Sequence, residues 1–280
     1  MWSEIDAQLQ RADPDRRLAA LFAETRPRRR LLALYALNAE LEAIPAKVTD
    51  PTLRELRFAW WREAIGGLYQ PVETPADHPV MRAIRVSYKP APPRLWMDRL
   101  LNARDRDFRE DPIKTLAGLR EHLERTEYTI ARVGAWLCAP ELELSALAET
   151  ALRHGALAWG FLGVAREIGV PRPNPRLPKD LLDEVGLTLG DIESRRHAER
   201  AGRVVESLQA SARRELDEAR KVYRALPAEC APALLYCALV EADAARLRLS
   251  ARGKPYIPPR PPFEPARRAR LVWASATGRI

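Results

Sequence analysis

The chain has 280 residues, 46% of them hydrophobic and 30% charged, enough to bury the core of one large helical domain or two ordinary ones and too apolar for intrinsic disorder. Lys+Arg 46 against Asp+Glu 38 give a net charge of +8, compatible with an acidic partner, anionic lipid or a diphosphate substrate, yet only six of the 46 are lysines, a bias that a GC-rich genome explains equally well. No helix-turn-helix signature, zinc-ligand spacing or ribonucleoprotein motif is present, which argues against a nucleic-acid partner.

Glu4 to Glu24 predicts a first helix interrupted near Asp13-Pro14, with Leu18, Leu21 and Phe22 on its apolar side. The basic run Arg26 to Arg30 is either a solvated helix start or a phosphate-facing cluster, since arginine forks match phosphate oxygens. Two helices follow between Arg28 and Tyr69, meeting at Pro45, with a second start at Asp50-Pro51 where Asp50 caps and Pro51 fills the first turn. In the first, Leu31, Leu34, Tyr35, Asn38, Leu41 and Glu42 form one stripe that carries Asn38 and Glu42 inward. The second has two apolar stripes, Leu53, Leu56, Trp60, Ala64, Leu68 and Phe58, Trp61, Ile65, Tyr69, which predict a central helix. Gly66-Gly67 reads as its end.

His78-Pro79 opens a helix to about Tyr88, and Lys89 to Pro93 breaks the chain. A helix to about Glu110 then buries Leu95, Leu100, Leu101 and Phe108, and its charged tract Arg104 to Asp107 reads as a self-paired, solvated face. Long helices are expected from Ile113 to Cys138 and from Leu142 to Ile168, the latter with an all-round apolar core stretch, Gly155 to Ala165. Ile192 to Leu226 reads as one charged helix and residues 229–250 as a last core helix. A division follows into a helical domain, 1–254, and a proline-rich strap with a short basic tail, 255–280, which either crosses the surface or hangs as a flexible linker. No segment has strand periodicity.

Cys138, Cys230 and Cys237 are too few and too irregular for a disulfide framework, which fits a reducing, cytoplasmic compartment. The longest apolar runs, Gly155 to Ala165 and Cys230 to Val240, are too short to span a bilayer, leaving peripheral contact with the inner face of a membrane as an open alternative. The scattered His78, His122, His154 and His197 form no metal-binding spacing, and no phosphate loop or GxSxG elbow is present.

Two segments, ALYALNAEL (Ala33 to Leu41) and RFAWWREAIGGLY (Arg57 to Tyr69), together with Arg166-Glu167, Leu177-Pro178 and Val185-Gly186-Leu187, resemble the squalene/phytoene synthase family. Active members join two prenyl diphosphates head to head, with magnesium held by aspartate-rich motifs. The resemblance runs from about Arg28 to Gly253 and implies an all-α, isoprenoid-synthase-type helical bundle around a central cavity. It implies that Tyr35, Asn38, Glu42, Arg166 and Glu167 line the pocket, with Thr126 or Thr129 against it.

Along the first motif the acidic positions fall on Glu42, Ala43 and Ala46, and the position four after Glu167 is Pro171. Two carboxylates on a helix share a metal only at a spacing of three or four, so one carboxylate per motif leaves a vestigial pocket with no metal, no cofactor and no catalytic residue. The two quoted segments lie closer to a branch without the aspartates, whose mitochondrial members assist assembly of respiratory complex I. That resemblance implies a non-catalytic assembly factor or chaperone whose partner is a complex I (NADH dehydrogenase) subunit. Two alternatives stay open: a magnesium-dependent prenyl diphosphate transferase rebuilt on Arg30, Arg166 and Glu167, or an isoprenoid-lipid-binding protein. Around Trp60 to Glu63, either both indoles are core, or Arg57, Trp61, Arg62 and Glu63 form a partner-binding surface.

Overall fold

The structure, a computed structural model, describes residues 1–71, 77–107, 113–170, 176–251, 254–258 and 263–280, and among these there is no strand. The first helices are α1 (Trp2–Ala12), α2 (Pro14–Ala20), α3 (Thr25–Lys47), α4 (Pro51–Gly66), α5 (Pro79–Ser87) and α6 (Arg94–Arg106). Then come α7 (Leu116–Leu123), a π-helical turn (Glu124–Tyr128), α8 (Thr129–Cys138), α9 (Ala146–Glu167), α10 (Lys179–Glu184) and α11 (Leu189–Glu193). The chain closes with α12 (Ala198–Val222), α13 (Val240–Ala251) and α14 (Glu264–Thr277).

Most starts follow their capping chemistry. Asp13, Asp50, His78, Thr115 and Ser145 each accept a backbone N–H of the turn they open, and Pro14, Pro51 and Pro79 occupy first turns where no N–H is lost. Helix α9 lies in the middle, along α12 on one side and against the π-helical turn on another. Its Gly155–Ala165 stretch is buried almost throughout, as its composition predicts. Gly160 is where the backbones approach most closely: a Cβ there would lie 2.8 Å from Leu123 Cδ2 and 2.9 Å from Glu127 Cγ.

Several expectations are corrected. Pro45 is not a junction; α3 runs through it to Lys47, because the loss of one N–H falls in its last turn. Helix α4 is peripheral rather than central. It buries Phe58, Trp61, Ala64 and Ile65, whereas Leu53 and Leu56 of the other stripe are 57% and 61% exposed. On α6, Leu95 is also exposed, and Phe108 lies outside the described residues.

The segment after Asp191 is not one helix. Between α11 and α12 the backbone of Arg195 and His197 is left-handed, with φ of 54° and 53°, and the helix is broken there. Residues 229–250 begin as short 3₁₀ turns, Ala231–Ala233 and Leu235–Leu239, around Pro232, and become α-helical only at Val240.

The C-terminal segment is docked. Leu271 and Ala274 of α14 are buried in the common core, against the Leu235–Leu239 turn. Arg267 enters with them, its Nε 2.7 Å from Asp15 Oδ1 on α2 and its Nη1 2.6 Å from Asp243 Oδ1 on α13. Upstream, the Tyr256 hydroxyl donates to the Arg196 carbonyl, and the backbone of Pro255 to Pro258 passes over Gly169 at the end of α9.

Candidate functional site

The α2, α3, π-turn and α9 segments enclose a cavity of about 300 Å³ whose lining includes Asp13, Asp15, Arg16, Glu42, Glu127, Trp159, Arg166, Glu167 and Arg176. Its walls are thus mixed, with charged side chains set among Pro14, Trp159 and Val170. Asp13 and Asp15 come from the start of α2, Glu42 from α3, Glu127 from the π-helical turn and Glu167 from the end of α9, and each is met by a guanidinium.

Glu127 is the hub. The π-helical turn inserts one extra residue per turn, which brings both Thr126 and Glu127 to the buried side. Thr126 bonds back to the His122 carbonyl at 3.0 Å, leaving Glu127 to project inward. One of its oxygens accepts from Arg16 Nη2 and the other from Arg104 Nη2 at 2.9 Å. Arg104 is fully buried and serves four acceptors: Glu127, Glu42 Oε1 at 2.8 Å, Asn38 Oδ1 at 3.0 Å and Asp107 Oδ2 at 3.3 Å. Asp107 in turn meets His122 Nε2 at 2.8 Å. At the end of α9, Glu167 receives Arg176 Nε at 2.9 Å and the Arg176 backbone N–H at 3.2 Å. Asp13 pairs with Arg16 at 3.1 Å, and Asp15 with Arg267.

The electrostatics of the cluster run in two directions. Burial would raise the Glu127 carboxyl, but Arg16 and Arg104 overcome it and hold the group down to about 2. Asp107 is likewise lowered against its burial, by His122, Arg176 and Arg104. Asp13 goes the other way: burial pushes it up to about 6 despite Arg16. Against ordinary values of 4.5 and 3.8, the signs differ. Glu127 contributes stability that is present above pH 4.5 and lost as pH falls toward 2; Asp13 contributes stability that is present below 3.8 and lost as pH rises through about 6. Chemical denaturation as a function of pH should show a steep loss below pH 4.5, and Glu127→Gln should flatten that limb. An unchanged limb in the variant would mean other carboxylates carry the acid transition.

The structure brings together four of the five predicted pocket residues at the cavity or its lining network. Asn38 and Glu42 meet at Arg104, and Arg166 and Glu167 lie in the wall. Tyr35 is fully buried, 5.8 Å below Arg16 measured to its ring centroid, so it supports the arginine from beneath. Arg166 does not face Glu167; it pairs with Asp243 and stacks over Trp159 at 4.8 Å. Pro171 lies outside the described residues.

Two expectations fail for a common reason: charged side chains were assigned to solvent or ligand when they serve the fold. Arg104 and Asp107, read as a solvated tract, are interior. Arg30, offered as a diphosphate ligand, is spent on the carbonyls of Ser87, Lys89 and Leu137 at 3.0, 2.6 and 3.1 Å, where α5 and α8 end. On α4, Trp61 is only 2% exposed and packs on His78 at 5.0 Å, so it is not available to a partner. Arg57, Arg62 and Glu63 are exposed, with Arg62 2.7 Å from Asp105 of α6.

The sequence motifs do not point to Arg16, Arg104, Glu127 or Arg176 as parts of this site. For two of them a signal exists: Glu127 falls on the apolar stripe Leu119, Leu123, Ile130, and Arg104 on Met97, Leu100, Leu101, and a charge on such a stripe is a buried charge.

An all-helical bundle with an inward-facing charged cavity between the α3 and α9 segments defines an isoprenoid-synthase-type fold. The sequence pattern of squalene/phytoene synthase matches residues 9–268, and the chain belongs to that family. A dehydrosqualene synthase crystal structure superposes with a TM-score of 0.78 at 13% identity, covering 98% of this chain and 95% of that one. Squalene synthase HpnC from Alicyclobacillus acidocaldarius gives 0.66 at 20% identity, covering 90% and 97%. At such identities these structures speak to the fold. The NADH dehydrogenase (ubiquinone) complex I assembly factor 6 of Mus musculus is 24% identical over 240 residues, 83% of this chain and 69% of the relative.

Proposed function

We propose that this protein is a non-catalytic member of its family that acts as an assembly factor or chaperone for a subunit of respiratory complex I. The similarity to complex I assembly factor 6 supports the role. The observation that carries the non-catalytic half is the pairing of the cavity carboxylates: Glu42 with Arg104, Glu127 with Arg16 and Arg104, Glu167 with Arg176, Asp13 with Arg16 and Asp15 with Arg267.

Magnesium bridging a diphosphate needs carboxylate oxygens free to coordinate, in near-octahedral geometry. Here each carboxylate has at least one oxygen engaged by a guanidinium, and among the described residues no three His, Cys, Asp or Glu side chains gather as a metal cage. The donor set does not fit the metal cluster of the active members. The partner-facing surface in this reading is the outer side of α4, where Leu53 and Leu56 stand beside Arg57, Arg62 and Glu63.

Purified protein incubated with magnesium and farnesyl or geranylgeranyl diphosphate should release no pyrophosphate. Deleting the gene should lower the amount of assembled complex I on native gels, and a Leu56→Asp protein that folds normally should fail to restore it. Sustained pyrophosphate release, or normal complex I in the deletion strain, ends this reading.

A further inference from the structure

A second concavity, of about 670 Å³, lies away from the arginine-filled cavity, between the C-terminal end of α12 and α14. Its charged side chains are lopsided: Arg220, Lys221, Arg224, Arg270 and Arg279 line it with one acidic side chain, Glu241, beside the main-chain oxygen of Ile280. Some of this charge is used internally. Arg220 reaches Glu241 at 2.8 Å and the Ile280 carbonyl at 2.6 Å; Lys221 pairs with Glu218; Arg270 donates to the Ala238 carbonyl at 3.1 Å and stands 5.2 Å over the Trp273 ring.

Arg224 and Arg279 are exposed and make no ion pair among the described residues. Gly278, at φ +61°, turns the chain at the end of α14, and Arg224 Cγ lies 3.9 Å from where its Cβ would be. The turn thus sets Arg279 beside Arg224. Two unpaired guanidinium forks at the mouth of a concavity match phosphate oxygens.

The adjoining surface adds a second demand. Helix α14 buries Leu271 and Ala274, yet Val272 and Trp273 on its other side are 56% and 44% exposed. A soluble anion would satisfy the guanidiniums and leave these two side chains in water. An anionic bilayer surface accounts for both halves, since phosphate headgroups meet the arginines while an indole and a small aliphatic group enter the boundary below them. Among the described residues no helix is long and apolar enough to cross a membrane, so such contact would be along the surface.

We propose that this face docks on anionic phospholipid bilayers, with a headgroup phosphate held by Arg224 and Arg279 and with Val272 and Trp273 in the interface. The proposal is independent of the assembly-factor reading. The full chain should sediment with phosphatidylcholine–phosphatidylglycerol vesicles and not with phosphatidylcholine alone, and added salt should release it. Arg224→Glu with Arg279→Glu should weaken binding at least about tenfold, because each cation near such a surface contributes measurably and reversal counts twice. Trp273→Ser should weaken it separately, while Leu56→Asp on α4 should leave it unchanged; all these side chains are exposed, so thermal unfolding serves as the control for folding.

Equal binding to both vesicle types, or undiminished binding by the charge-reversed protein, overturns the proposal. So does undiminished binding by Trp273→Ser together with full displacement by millimolar inorganic phosphate at constant ionic strength, which would assign the concavity to a free anion instead.

Discussion

Glu127→Ala should destabilise the protein by about 3–5 kcal/mol, the usual cost of breaking a buried ion pair from one side. Glu127 is 4% exposed and neutralises two guanidiniums that are themselves buried, Arg16 and Arg104. Removing it takes the shared carboxylate from both, leaving Arg16 with Asp13 and Arg104 with Glu42 and Asp107 to hold two buried positive charges beside the π-helical turn. The loss is one of desolvation more than of attraction, which gives the effect its size. Urea denaturation followed by far-UV circular dichroism measures it directly. The double variant Glu127→Leu, Arg104→Met should cost less than the sum of the single changes, since the two side chains are direct partners and each single change already removes their shared bond. A cost below about 1 kcal/mol for Glu127→Ala would mean that water reaches the cluster freely, and the picture of an arginine-filled cavity would fail with it.

Arg267→Leu should cost about 3 kcal/mol, and the loss should be local before it is global. Arg267 is the only described link by which α14 reaches carboxylates on both α2 and α13, through Asp15 and Asp243. Asp243 keeps Arg166 when Arg267 is gone, but Asp15 loses its one recorded cation. Since Leu271 and Ala274 bury little more than two side chains, α14 should then open ahead of the rest. Amide exchange should accelerate across Glu264–Thr277, and chymotrypsin should cut between α13 and α14 while leaving the remainder intact. Unaltered exchange in α14 would show that packing, not the ion pairs, holds it.

These two sites mark the boundary of what pattern reading reaches. Along α3 the helical stripe predicted correctly that Asn38 and Glu42 face inward, because one helix's own periodicity settles that. Along α4 the same reasoning gave two apolar stripes and could not say which one met the core; Phe58 and Trp61 did, and Leu53 and Leu56 stayed outside. Arg30 and Arg104 were misplaced because an arginine's long stem lets its head reach carbonyls or carboxylates far from its own backbone, so spacing constrains it weakly. The π-helical turn at Glu124–Tyr128 was illegible for another reason: its extra residue depends on the close passage of Gly160, from a helix that follows later in the chain.

From its residues alone the protein is an all-α member of the squalene/phytoene synthase family, with most helix starts marked by cap and proline and with Glu42 and Glu167 each lacking a carboxylate four residues on. Those features rest on interactions three or four residues apart, which any window of sequence contains. How the buried charges are partnered was decided only in three dimensions. Arg16 and Glu127 are 111 residues apart, and Arg267 and Asp15 are 252. Whether a charge is stranded, paired or solvated depends on which distant segment arrives beside it, and that is a property of the packed chain.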